Sequence, residues 1–370
     1  MAKRKLWWVA AVAVIALVAA GCGDDDDDSG GSTSGGGESV DDIRDHVNDL
    51  EGDVAFPDLP DGPDAAADKK IFVISVDQQL EGIVRQVNGV EEAGDMVGWD
   101  VTVIDGKSTP DAWSTGIERA VNEKADGIIL AAFDVSFVKA AADKARAANI
   151  PMVAITSGSE VGPNGVFAEI GSVEYNTEMG RNQGRFVVAE SDGSAKAIVF
   201  NDTSFATAPP IADGAIEILQ GCSGCEMVQK IDFVGADITT KMSEAVRTAL
   251  TRNPDANYVV VPYDFAALFA AQGIRDAGAA GRVKLVSTGG NLANLDLIRE
   301  GDIQVMASAQ PLEYFGYLAV DALNRALAGD DPIEFDAPQK ILVEDNLPAE
   351  GQPWTGDEDF TDDFKQLWGI

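Results

Sequence analysis

The chain has 370 residues, enough for two domains, and 45% of them are apolar, which excludes global disorder. Twenty-seven basic against 62 acidic residues leave a net charge of −35, so nucleic acid and anionic lipid surfaces are excluded as partners. The single histidine, His46, lies ahead of the first strand-like run and off the expected body, which sets aside catalysis and zinc binding that need an imidazole.

In chain order, Lys3, Arg4 and Lys5 precede an apolar run from Leu6 to Ala20. A positive start, a short apolar stretch and small residues before a break describe an export signal. The run is about 15 residues, short for a membrane span, which takes ~20. Ala19-Ala20-Gly21-Cys22 resembles the bacterial lipobox, with Ala19 in the place of its usual leucine. That resemblance implies a signal over 1–22, lipidation of Cys22, and acyl chains holding the protein on the outer face of the cytoplasmic membrane. Asp24 through Asp28 and the Gly/Ser stretch to Gly37 bury no apolar surface and read as a flexible tether. The acidic, proline-punctuated residues up to 68 extend it, with one short helix expected around Val40 to Leu50.

From Ile71 onward, β-branched apolar runs alternate with amphipathic helical stretches. The runs are Ile71–Val76, Val101–Ile104, Gly127–Leu130 and Met152–Ile155, then Ala197–Phe200, Met227–Phe233, Tyr258–Val261, Val283–Val286 and Ile303–Met306. Near-continuous apolar strands between helices predict parallel sheets covered on both faces. Leu312, Phe315, Leu318, Ala319, Ala322 and Leu323 recur at helical spacing. Nine strands in two groups predict an α/β protein of two doubly wound lobes.

Open α/β sheets bind ligands beyond the carboxyl ends of their strands. Residues that follow the runs in the first lobe are Asp77, Gln78, Gln79, Asp105, Lys107, Phe133, Asp134 and Thr156. In the second they are Asn201, Asp202, Phe205, Tyr263, Asp264, Asn291 and Gln310. Carboxylates and amides bridge neighbouring hydroxyls, and aromatic faces cover the apolar side of a sugar ring. Lys107 is the only cation at these tips, so a neutral polyol fits better than an anion, with a cationic ligand second. The competing reading is that such residues merely cap helices.

Asp126-Gly127-Ile128-Ile129-Leu130, Pro151-Met152-Val153-Ala154-Ile155, Pro262-Tyr263-Asp264 and Gln310-Pro311 resemble the ribose-type periplasmic sugar-binding proteins, as does the closing Phe364-Lys365-Gln366-Leu367-Trp368-Gly369. The resemblance covers about residues 70–370. It implies a type 1 periplasmic-binding fold whose lobes join through three crossovers near Gly171, Ser308 and Gly329, with the ligand at the hinge cleft. The first lobe would hold 69–171 and 309–329; the second would hold 172–308, 330–370 and hence the tail. Asp134, Asn201, Asp264, Asn291 and Gln310 would be polar ligand contacts, and Phe205 stands where an aromatic is expected. Gln78 and Gln79 replace the aromatics of ribose binders, so the sugar is left open.

Gly106-Lys107-Ser108-Thr109 looks like the end of a P-loop, but Val101 stands where its first glycine belongs. Cys222 and Cys225 cannot make a four-thiolate zinc site; after a helix, in an exported protein, they read as a structural disulfide rather than a redox pair. Asn201-Asp202-Thr203 matches a glycosylation sequon by accident in such a setting. The expected function is non-enzymatic: a monomeric solute-binding protein, without cofactor or metal, that hands a small sugar to an ABC transporter permease. The alternatives are a receptor for a membrane signalling protein and a glycosidase using Asp134 and Asp264.

Overall fold

The computed structural model describes residues 38–370. Cys22 and the expected signal and tether up to residue 37 lie outside the described residues. After α1 (Val40–Glu51) come β1 (Lys70–Ser75), α2 (Glu81–Met96), β2 (Asp100–Asp105), α3 (Pro110–Asn122), β3 (Gly127–Ala131), α4 (Lys139–Ala147), β4 (Met152–Ile155) and β5 (Ala168–Ile170). A second series follows: α5 (Val173–Glu190), β6 (Lys196–Asp202), α6 (Ala208–Gly221), β7 (Glu226–Phe233), α7 (Ile238–Arg252), β8 (Tyr258–Val260), α8 (Asp264–Asp276), β9 (Lys284–Gly289), α9 (Leu292–Glu300) and β10 (Gln304–Ala309). The chain closes with α10 (Leu312–Ala328), β11 (Lys340–Leu342) and α11 (Thr361–Trp368). No helix among the described residues is long and apolar enough to cross a membrane.

The local signals act as their chemistry requires. Thr109 caps α3 ahead of Pro110, Ser172 caps α5, and Gly329 ends α10 in the left-handed conformation. The first sheet runs β2-β1-β3-β4-β5, all parallel. The second runs β7-β6-β8-β9-β10-β11, parallel except for the last strand. Alternation within β1 sends Ile71 and Val73 to the core beneath α2 and α10, and Phe72 and Ile74 to the core beneath α3 and α4. Helices α2 and α10 cross so closely that a methyl group on Gly89 would lie 2.1 Å from the Glu313 carbonyl oxygen. Only glycine fits there.

Eleven strands form among the described residues where nine are expected, because β5 and β11 are three-residue strands too short to stand out as apolar runs. The chain changes lobe at Gly171, at Gln310–Pro311, and between Gly329 and Gln339. Three expectations about the ends require correction. Residues 38–68 are not a flexible extension: α1 buries Ile43 and Val47 in the second lobe's core, against α5. The segment then runs along the first lobe, where Arg325 donates to the carbonyls of Pro60 and Asp61, and Trp99 to that of Ala66.

His46 is accordingly brought onto the body, with Nε2 3.2 Å from Oδ1 of Asn182. The tail does not join the second lobe: Phe364 and Trp368 of α11 are buried in the first lobe's core beside Tyr314 and Tyr317. An amphipathic helix docks wherever an apolar surface is free, and α10 offers one.

Candidate functional site

With every strand but β11 parallel, the carboxyl ends of both sheets carry loops on one edge, and these edges face each other. At the first lobe's tips, Asp77 accepts hydrogen bonds from the Gln79 amide (2.9 Å) and the Ser108 hydroxyl (2.8 Å). The Gln78 amide donates to Asp105 Oδ1, and the Gln78 Nε2 is buried without a partner among the described residues; Gln79 is exposed. Asp134 caps the following turn through the Ser136 amide (2.7 Å). Phe133 stacks on Trp113 with centroids 4.6 Å apart inside the core, so its ring serves packing instead of presenting a free face. Thr156 sits at φ +43° and accepts from Gln86 Nε2 at 3.0 Å.

In the second lobe Asn201 donates to Asp232 at 2.7 Å and keeps a buried, unpartnered Oδ1. Asp202 is fully buried and accepts from Ser204 and from the Tyr263 hydroxyl. Burial, then the Asp202 charge, pushes the Tyr263 phenol well above its usual range. Asp264 accepts from the Ser287 hydroxyl and from the Asn291 amide (2.7 Å), which moulds the Gly289–Asn291 loop against it. Burial raises its carboxyl to about 6 despite those bonds. Phe205 meets Tyr263 edge-on at 6.2 Å and also packs on the first lobe's core, so it spans the two lobes.

The lobes are closed upon each other. Glu81 Oε1 accepts from the Leu292 amide at 2.9 Å, so a first-lobe carboxylate caps the first free N–H of α9. Arg85, paired through two 2.7 Å bonds with Glu313, also donates to the carbonyls of Gly290 (3.3 Å) and Trp354 (2.6 Å). On the far side Gly158 abuts Ala206.

Ten buried side-chain polar atoms lack partners among the described residues, and seven belong to the strand ends or to groups bonded to them. These are Gln78 Nε2, Gln86 Oε1, Gln183 Oε1, Asn201 Oδ1, Asn291 Oδ1, Ser308 Oγ and Gln310 Oε1. Buried polar groups are ordinarily satisfied, so a cluster of orphans marks where hydroxyls are to be received. Gln86, Gln183 and Ser308 lie on α2, α5 and within β10, so none of them is among the residues that follow a strand. Gln183 had a signal: it is a polar residue on a helix face that is otherwise buried.

Two other cavities lie away from these tips. One of about 390 Å³ opens between β7 and α7 beside Ile231 and Lys241; one of about 200 Å³ opens beside Gly301 and Gln304. Cys222 and Cys225, in the turn between α6 and β7, form a disulfide with Cα atoms 5.3 Å apart.

Among known families, the one described as "Periplasmic binding protein domain" matches residues 71–331. The ribose import binding protein of Bacillus subtilis is 22% identical over 271 residues, spanning 72% of this chain and 85% of that protein. A solute-binding protein from Agrobacterium vitis, solved with α-D-tagatopyranose, superposes with a TM-score of 0.68 at 19% identity, covering 76% of this chain and 96% of that one. A 5-methylthioribose transporter solute-binding protein from Thermotoga lettingae gives 0.67 at 18% identity, covering 81% and 98%. At such identities the likeness establishes the fold; the ligands belong to those proteins.

Proposed function

The chain belongs to the periplasmic binding protein family, and from that we propose that it holds a small neutral sugar between its lobes and presents it to an ABC transporter permease. The seven orphaned polar atoms at the strand ends of both lobes carry this reading. They are amide and hydroxyl groups, suited to a ring of hydroxyls, and the Phe205–Tyr263 pair supplies apolar faces for the ring carbons. Asp77, Gln78, Thr156, Asn201, Asn291 and Gln310 would contact the ligand directly. Asp134, Asp202 and Asp264, each engaged in local hydrogen bonds, would shape the loops as much as touch it.

Binding would bridge the lobes and shift them from open toward the closed arrangement, the spacing a permease would recognise. Lipidation of Cys22 would keep the protein outside the cytoplasmic membrane and near that permease. The Cys222–Cys225 disulfide suits such an oxidising compartment. The protein would work as a monomer.

The rival readings gain no support. A glycosidase would need two free carboxyls, and Asp134 and Asp264 are each committed to backbone amides; nothing favours a signalling receptor over a transporter.

A thermal-shift screen over pentoses, hexoses, polyols, nucleosides and polyamines tests the proposal. A ligand at a hundredfold excess over its Kd adds about 2.7 kcal/mol, a rise of several degrees in Tm. A shift with polyamines alone, or oligosaccharide cleavage by pure protein, would overturn it.

A further inference from the structure

We infer that Glu169 is a positioning residue of the cleft, holding the turn after β4 and, through it, the tip of β3 and the first lobe's point of contact with the second. The inference rests on the ligand-binding reading above.

Glu169 lies on β5, the edge strand next to β4, just before the crossover at Gly171. Its Oε1 accepts from the amides of Ser157 (2.6 Å) and Gly158 (3.0 Å), and its Oε2 from the Ser157 hydroxyl (2.7 Å). Both carboxyl oxygens act as acceptors, which is what three converging donors require. The turn it holds contains a strained residue, since Thr156 stands at φ +43°, where a β-branched residue is rare.

Two consequences reach the cleft. The Ser157 hydroxyl bonds to that of Ser159 (2.7 Å), and the Ser159 hydroxyl accepts from the Val135 amide (3.0 Å), immediately after Asp134. One network thus sets both Thr156 and Asp134. The same turn drives Gly158 against the second lobe, where a methyl group would lie 2.7 Å from Ala206 Cβ, beside Phe205. Closure therefore has a steric stop whose position depends on Glu169.

Amide hydrogen exchange on the ligand-free full chain, with calorimetric titration of D-ribose, D-tagatose, L-arabinose, D-fucose and allitol, tests this. Glu169→Ala and Glu169→Asp are expected to speed exchange at Val135 and Gly158, and to weaken any sugar the wild type binds, by about tenfold or more, as loss of several buried hydrogen bonds implies. Glu169→Gln, whose amide oxygen can still accept from both backbone amides, should restore each to within about threefold of wild type.

Wild-type exchange at Val135 in Glu169→Ala and Glu169→Asp would overturn the proposal, as would unaltered sugar affinity or a Gln variant no better than Asp. Should no probe bind even the wild type, the sugar reading fails, and exchange at Val135 alone decides the role of Glu169.

Discussion

Burial lifts the carboxyl of Glu169 to about 7 and that of Asp264 to about 6, from ordinary values of 4.5 and 3.8. In both cases the folded protein holds its proton more tightly than the unfolded chain. Their contribution to stability is therefore fully present below about pH 4 and is lost as pH rises through 6 and 7. For Glu169 the difference is on the order of 3 kcal/mol. Melting temperatures of wild type and Glu169→Gln, followed between pH 4 and 8, should diverge with rising pH in favour of the variant; parallel curves would show that Glu169 ionises freely.

Arg85 is the opposite case, a cation bonded on every side. Its side chain is 6% exposed and its removal strands the Glu313 carboxylate and two carbonyls. Arg85→Ala should cost roughly 3–5 kcal/mol in urea denaturation, the usual loss when half of a buried pair is removed. A loss under about 1 kcal/mol would place the pair among solvent-screened ones.

Among elements, legibility follows length and periodicity. Strands β1, β3, β4, β6 and β9 stand out as apolar runs because both faces of a parallel sheet are buried. Strands β5 and β11 have three residues each and carry no such signal. The strand tips could be collected from the chain order, but Gln86 and Gln183 reach them from helices, and of the two only Gln183 carries a local hint, as a polar residue on a buried helix face. Pairings such as Arg85 with Glu313, 228 residues apart, are absent from any window of sequence.

The lobe to which α11 docks was likewise illegible, since its apolar stripe suits either one. In the structure Trp368 is 1% exposed, stacks on Tyr317 with centroids 6.1 Å apart, and donates to Asp321. Trp368→Ala should therefore cost about 3–5 kcal/mol. It should also make the tail sensitive to limited proteolysis, whereas a helix merely resting on the surface would tolerate the change.

At the scale of the whole molecule, five passages of chain join the lobes among the described residues, counting the three crossovers and two terminal segments. The leading segment leaves α1 on the second lobe and reaches the first where Phe56 packs on Tyr314 and Phe360. The trailing segment leaves the second lobe after Trp354 and reaches the first at Phe360. The two cross side by side, tied by a 2.8 Å bond from the Val54 amide to Asp357, which also accepts from buried Lys340 at 2.8 Å.

Opening the lobes must draw on the slack in these segments, which are held at both ends and contain little of it. They should therefore narrow the range of open states and raise the fraction poised to close on a ligand, which increases apparent affinity in proportion. Short Gly-Ser insertions after the exposed Ala55, between Val54 on the second lobe and Phe56 on the first, and after Glu358 lengthen both segments without touching a packed side chain, and flexible insertions of this kind have little effect on folding stability. The inserted protein should melt as wild type does, show a larger radius of gyration by X-ray scattering without ligand, and bind more weakly as its closed fraction falls. An unchanged radius would mean that the three inner crossovers alone set the opening, and that the outer pair serves only to fasten the chain ends.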